Sequence, residues 1–129
     1  MGKAANSSIP LKDIHITDRF WNKYVHLVKD VIIPYQWDIL NDRLEGVETS
    51  HCIENFKIAA GEKQGEFQGA VFQDTDVAKW LEAVGFALSY ERDGELERLA
   101  DETIDLIGRA QQPDGYLNTY FTIKEPDRR

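Results

Sequence analysis

The stretch "VFQDTDVAKW" places Gln73, Asp74 and Asp76 at the mouth of a helical pattern, directly after a glycine-rich run. A carboxamide and two carboxylates in that position have two uses. As parts of a helix start, Asp74 or Thr75 caps the first turn, and Asp76 sits where the macrodipole favours negative charge. As a site, the same cluster lines a pocket with Phe72 as its apolar wall. Direct acid–base work by the two carboxylates is disfavoured. Groups two residues apart at a helix start diverge, whereas carboxyl pairs that share acid–base work on one bond face it from opposite sides, ~5 to 9.5 Å apart.

A second stretch, "RAQQPDGYLNTYF", closes a helical pattern and then crowds Tyr116, Asn118, Tyr120 and Phe121 into six residues. Pro113, Asp114 and Gly115 fit the second, third and fourth positions of a turn and need no further explanation. The aromatic and amide side chains that follow do. In a loop at a helix end they suit a sugar-binding rim, with rings against apolar C–H faces and amides paired with hydroxyls. Packing is the competing reading.

Other chemistry finds little support. His51-Cys52 looks like half of a metal site, but adjacent side chains rarely reach one ion, and no Cys-x-x-Cys or His-x-x-x-His accompanies them. Adjacency is also the wrong geometry for a cysteine–histidine nucleophile pair. His15 and His26 share no ligand spacing. No dinucleotide fingerprint, phosphate loop or Gly-x-Ser-x-Gly elbow is present.

The elements that position these residues read as helices. "TDRFWNKYVHLVKDVIIPYQWDILNDRLEG" predicts one long helix, capped by Thr17 or Asp18, disturbed at Pro34 and ended by Gly46. "SHCIENFKIAAGEKQG" predicts a shorter helix ended by Gly61. "DTDVAKWLEAVGFALSYERDGELERLADETIDLIGRAQQ" predicts an αα-hairpin. Val77, Trp80, Leu81, Val84 and Leu88 mark its first helix; Leu96, Leu99, Ala100, Thr103, Ile107 and Ala110, supported by Ile104, mark its second. Arg92-Asp93-Gly94 joins the two, with Asp93 as the cap, and so short a link makes them antiparallel. Small residues on the first helix (Ala78, Ala83, Gly85, Ala87) suit a layered helical array. A short extended segment is expected around Asp13 to Thr17. The division is therefore 1–17, a tail with a short strand, and 18–129, the helical part.

With 42% hydrophobic residues in 129, the chain can bury a core. Its net charge of −8, from 23 acidic and 15 basic side chains, disfavours a nucleic acid partner and suits a neutral one. A single cysteine excludes an internal disulfide framework. No stretch approaches the ~20 apolar residues of a membrane span, and no signal peptide is evident, so the cytoplasm is the expected compartment.

Taken in order and at similar spacing, "VIIPYQW", "HCIENFKIAAG", "GAVFQDTDVAKWLEA" and "LIGRAQQPDGYLNTYF" resemble the N-terminal part of glycoside hydrolase family 127, from about Phe20 to Thr122. Characterised members include β-L-arabinofuranosidases. The resemblance implies an all-α chain whose αα-hairpins form part of an (α/α)6 barrel, with β-sandwich domains to follow. It implies retaining hydrolysis of terminal β-L-arabinofuranosyl units, with a zinc-bound cysteine as nucleophile and a glutamate as acid/base. Those groups lie well beyond the equivalent of Arg129 in the family, and Cys52 matches none of them. Zinc is thus implied for the full-length enzyme, while neither a catalytic residue nor a metal ligand is expected in this chain.

Carried over to this sequence, Phe72 meets the furanose ring; Gln73, Asp74 and Asp76 shape the same rim; Tyr116 and Asn118 extend it. An L-arabinofuranoside is the implied partner of the full-length enzyme. Helix-pair units take ~34 to 47 residues, so six need roughly 200 to 280. The expectation is an N-terminal fragment that is inactive alone. The alternatives are a small helical interaction module and a piece of another (α/α) barrel sugar enzyme.

Overall fold

Asp18 opens the first long element, its carboxylate accepting the Trp21 N–H at 2.8 Å and so meeting one orphan donor of a helix start. In the computed structural model, which describes residues 8–128, this cap begins α1 (Arg19–Leu27). A π turn follows at Val28–Ile32, where the Ile33 N–H reaches back five residues to the Val28 carbonyl. Then comes α2 (Ile33–Leu40), with Pro34 in its first turn. Proline lacks an N–H and its ring crowds the carbonyl four residues back; widening the preceding turn makes room without a break.

The expected end at Gly46 is corrected. Leu40 is the last residue of α2 because Asp42 adopts a left-handed φ of 56°. The N–H groups of Asp42 and Arg43 return to the carbonyls of Ile39 and Asp38 at 3.0 and 2.9 Å, the double closure of a Schellman motif. An aspartate serves where glycine is usual because its short polar side chain bonds locally. Here that carboxylate accepts from the N–H groups of Ser50 at 2.6 Å and His51 at 3.0 Å. It thereby ties the end of α2 to the start of α3 (Cys52–Ala59).

The expected N-terminal strand is also corrected. Leu11–Asp13 forms one 3-10 turn and Ile14 is extended, but among the described residues there is no strand. An extended segment becomes a strand only when another pairs with it, and none does. Residues 1–7 of the expected tail lie outside the described residues.

The hairpin forms as read, from α4 (Asp74–Tyr90) and α5 (Gly94–Ala110). Asp93 caps α5, accepting from the Glu95 and Leu96 N–H groups at 3.1 Å each. Leu106 joins Leu96, Ala100, Thr103 and Ala110 on the buried face, while Ile104 stays outside. A short helix, α6 (Thr119–Ile123), and a 3-10 turn at Pro126–Arg128 complete the chain.

One core runs through these elements. α4 lies between α2 and α5, and α3 packs on α4, α5 and α6. Val77, Trp80 and Val84 of α4 meet Ile33 and Leu40 of α2, Ile53 and Phe56 of α3, and Leu96 and Leu106 of α5. Each such side chain contributes about 1.5 to 3 kcal/mol on burial. Trp80 stacks on Trp37 at 4.4 Å, and its indole N–H donates to the Ile33 carbonyl at 3.1 Å. The one polar atom of a buried ring is thus satisfied.

Candidate functional site

The loop leading into α4 begins where Gly61, at φ +74°, closes α3. Two amides then hold it. Buried Asn55 donates Nδ2 to the Gln68 carbonyl at 2.8 Å and accepts the Gln68 N–H at 3.2 Å. Gln73 Oε1 accepts the Ala70 N–H at 2.7 Å. Its carboxamide fills the space beside Gly69, where φ is +92° and a Cβ would overlap Gln73 Oε1. The Cys52 thiol donates to the Gln73 carbonyl at 3.2 Å. Gln73 is therefore a brace, and the Phe72 next to it is left 66% exposed on a turn that cannot easily shift.

Asp74 does not cap α4, and neither does Thr75. The helix starts at Asp74 itself with Gln73 at the cap position and no side-chain bond there; the Thr75 hydroxyl donates back to the Phe72 carbonyl at 2.9 Å. The Asp74 carboxylate instead crosses to the second stretch. Its Oδ2 accepts the Thr119 N–H at 2.7 Å and its Oδ1 accepts the Thr119 hydroxyl at 2.6 Å. Thr119 is buried, and the Asp74 carboxylate satisfies both of these donors away from water. Asn118, the residue before, caps α6 by accepting the Phe121 N–H at 3.0 Å.

Two stretches 45 residues apart are thus brought together by one carboxylate. Tyr116 is half-buried beside the turn, its N–H accepted by Asp114 Oδ1 at 3.1 Å. Tyr120 is packing: its ring meets Phe67 edge-on at 5.1 Å. Its hydroxyl donates to Glu125 at 2.7 Å, which raises its pKa above the ordinary phenol value. Asp76 stands apart from the others. It pairs with Lys79 at 3.1 Å and lines a separate recess of about 260 Å³ with Ser50, Gln36 and Trp80.

Two polar residues important to this geometry were not singled out in the sequence. Asn55 had a signal, a lone amide inside the apolar run "CIENFKIAA". Thr119 had none, because its partner is remote in the chain.

A zinc centre does not fit these residues. Zinc takes thiolate, imidazole and carboxylate ligands in a tetrahedral set. Among the described residues no three His, Cys, Asp or Glu side chains converge on a point. Burial pushes the Cys52 thiol up to about 11, against a hydrogen bond from Ser50 and with the carboxylates of Asp76, Asp74 and Asp42 adding to the rise. Such a thiol is protonated at neutral pH and is a poor nucleophile or ligand. His51, held at φ +57°, has its ring between Asp42 (3.4 Å) and Thr49 (2.8 Å).

Antiparallel helices sharing one core, with a braced polar rim at the start of α4, define an all-α protein of the layered helical-hairpin type. Residues 13–129 match the sequence model described as beta-L-arabinofuranosidase, GH127 catalytic domain, and the chain belongs to that family. It is 44% identical over 124 residues to the non-reducing end beta-L-arabinofuranosidase of Bifidobacterium longum subsp. longum, covering 87% of this chain and 19% of that protein. A crystal structure of a GH127 beta-L-arabinofuranosidase from Geobacillus stearothermophilus T6 superposes with a TM-score of 0.87 at 63% identity, covering 89% of this chain and 18% of that one. A second GH127 beta-arabinofuranosidase structure gives 0.77 at 29% identity, over 91% and 18%.

The hairpins are accordingly part of an (α/α)6 barrel, the fold of the matched family structure. The chain spans less than a fifth of the length of these relatives. Among the described residues no helix is long and apolar enough to cross a membrane.

Proposed function

We propose that these residues supply one wall of the sugar site in a GH127 glycosidase that removes terminal β-L-arabinofuranosyl units with retention. The match of residues 13–129 to the family's catalytic domain carries this reading. The nucleophile, the acid/base and the zinc centre belong to parts of the enzyme outside the 129 residues. Phe72 is the group that meets the furanose ring. Its exposed ring sits on a loop braced by Asn55 and Gln73, and a rigid support is what precise placement of a binding group requires. Asn118 commits its oxygen to the α6 cap, which leaves its N–H groups to pair with a sugar hydroxyl. Gln73 and Asp74 act by holding the rim, Tyr116 borders it, and Asp76 shapes the recess beside it.

The test grafts residues 13–129 in place of the matched fifth of the Geobacillus relative and measures release of L-arabinose from terminal β-L-arabinofuranosides. Turnover should persist in the graft, and Phe72→Ala should lower kcat/KM by about ten-fold through loss of one aromatic contact. The isolated chain should show no turnover. Hydrolysis by the isolated chain, or a Phe72→Ala graft as active as its parent, sinks the reading.

A further inference from the structure

The aligned stretch of the Bifidobacterium enzyme is longer than the part of this chain it matches. It runs over 124 positions, while 87% of these 129 residues is about 112. About 12 residues of that enzyme therefore have no counterpart here. Of the four links between helices from α2 to α6, three are tied down along their length. The α4–α5 link is three residues, and Asp93 is committed to the cap of α5. The α3–α4 loop is braced by Asn55 and Gln73. After α5 the Gly115 N–H returns to the Gln112 carbonyl at 2.8 Å and the Gln112 N–H reaches the Tyr116 carbonyl at 2.9 Å, before Asp74 fastens Thr119.

The fourth link, between α2 and α3, is tied only at its base. Asp42 Oδ1 holds the Ser50 and His51 N–H groups, so residues 43–49 leave and re-enter the fold at one point, and none of them is buried. Extending a loop whose ends are already fixed costs entropy only as the logarithm of its length. Extra residues fit there without moving a helix. That base lies under the rim, since Cys52 donates its thiol to the Gln73 carbonyl at 3.2 Å, directly beside Phe72. Ser50 also borders the recess of about 260 Å³. At that size, near the ~300 Å³ lower end of small-ligand clefts, the recess admits one sugar unit. Ile39 and Trp80 give it apolar walls. The exposed Gln36 carboxamide has no hydrogen-bond partner among the described residues, and Asp76 meets Lys79 through Oδ1 alone. Amide and carboxylate groups over apolar walls suit the hydroxyls and C–H faces of a sugar.

We infer that the α2–α3 connection sets how much of a substrate this site accepts. Kept short, it leaves the recess of Gln36, Ser50 and Asp76 to the sugar unit next to the arabinofuranose that Phe72 meets, the unit released on cleavage. A connection longer by about 12 residues, rooted at the same base, overhangs that recess and narrows the site to the terminal unit. The inference rests on the glycosidase reading for the identity of the substrate, and its test separates the two.

The experiment uses the graft of residues 13–129 in the Geobacillus relative. Residues 43–49 are replaced by the corresponding connection of the Bifidobacterium enzyme, and Gln36→Ala is made separately. Turnover is measured on methyl β-L-arabinofuranoside and on a disaccharide ending in the same unit. Calorimetry reads the binding of a non-hydrolysable, thio-linked form of that disaccharide. The ratio of kcat/KM, disaccharide over methyl glycoside, should fall at least ten-fold with the long connection and about three-fold in Gln36→Ala. Affinity for the thio-linked disaccharide should fall by the same factors. Both variants should melt with the parent, since none of the altered residues is buried. Unchanged ratios and affinities overturn the inference, as does a Bifidobacterium connection no longer than this one. A graft that binds the thio-linked disaccharide in this pattern yet turns over neither substrate keeps the recess and removes the glycosidase reading. A graft that does not bind it overturns the inference even where the methyl glycoside is cleaved.

Discussion

Replacing Asp74 by alanine isolates the contact that joins the two halves of the rim. The carboxylate accepts two bonds from Thr119, at 2.7 and 2.6 Å, and Thr119 has 1% of its surface exposed. Alanine leaves a backbone N–H and a hydroxyl buried without their acceptor. Each orphaned group costs about 1 to 3 kcal/mol, which the better hydration of a lost, partly exposed charge does not offset. The net expectation is about 2 to 4 kcal/mol of destabilisation, a large part of a small domain's total. Asparagine keeps a carbonyl for the N–H, and its amide can donate to the Thr119 oxygen. It loses only charge assistance, about 1 kcal/mol. Urea denaturation of the 129-residue chain gives the two values. Hydrogen exchange at the Thr119 amide locates the effect, which should be faster in Asp74→Ala than in Asp74→Asn. If alanine costs less than about 0.5 kcal/mol, or if the two variants are equal in both measurements, the clamp does not hold the rim.

Two further outcomes follow from the same neighbourhood. Gly69→Ala combines a left-handed backbone with an overlap against Gln73 Oε1, so a loss of at least about 1 to 3 kcal/mol is expected. Adding Gln73→Ala should recover the overlap but not the backbone strain, a partial rescue visible in thermal melts. Cys52, raised to about 11, should resist thiol reagents at neutral pH. A folded value above the unfolded ~8.5 means stability is intact below that pH and declines by roughly 2 to 3 kcal/mol as pH rises through 11. Cys52→Ala should remove that alkaline decline, which denaturation at pH 8 and pH 11 compares.

Much of the scaffold was legible before any coordinates. The α4–α5 hairpin appears where Val77, Trp80 and Val84 repeat at helical spacing, and Asp93 caps the helix its position suggested. Gly61 closes α3 because glycine alone enters the left-handed region without cost. The misreadings share a cause. Asp42 ends α2 four residues before Gly46 because of a distant reward: its carboxylate holds the N–H groups of Ser50 and His51. No local rule prefers Asp42 over Gly46 as the stop. The segment after Asp13 has strand-like composition, but a strand needs a partner that composition does not specify.

The candidate rim divides in the same way. Which residue types stand there, and that Phe72 precedes a helix start, is written in the local order of residues; Asn118, expected in a loop, caps a short helix that the sequence reading did not include. What each does depends on its neighbours in space. Asp74 was chemically suited both to cap its own helix and to bind elsewhere; the approach of α6 decided for Thr119. Gln73 was suited to a ligand and is occupied by the loop. Periodicity, caps and turns act over a few residues and are therefore readable in sequence. The partners of a carboxylate or an amide are set by packing between elements 13 to 45 residues apart, and only the folded chain brings them into reach.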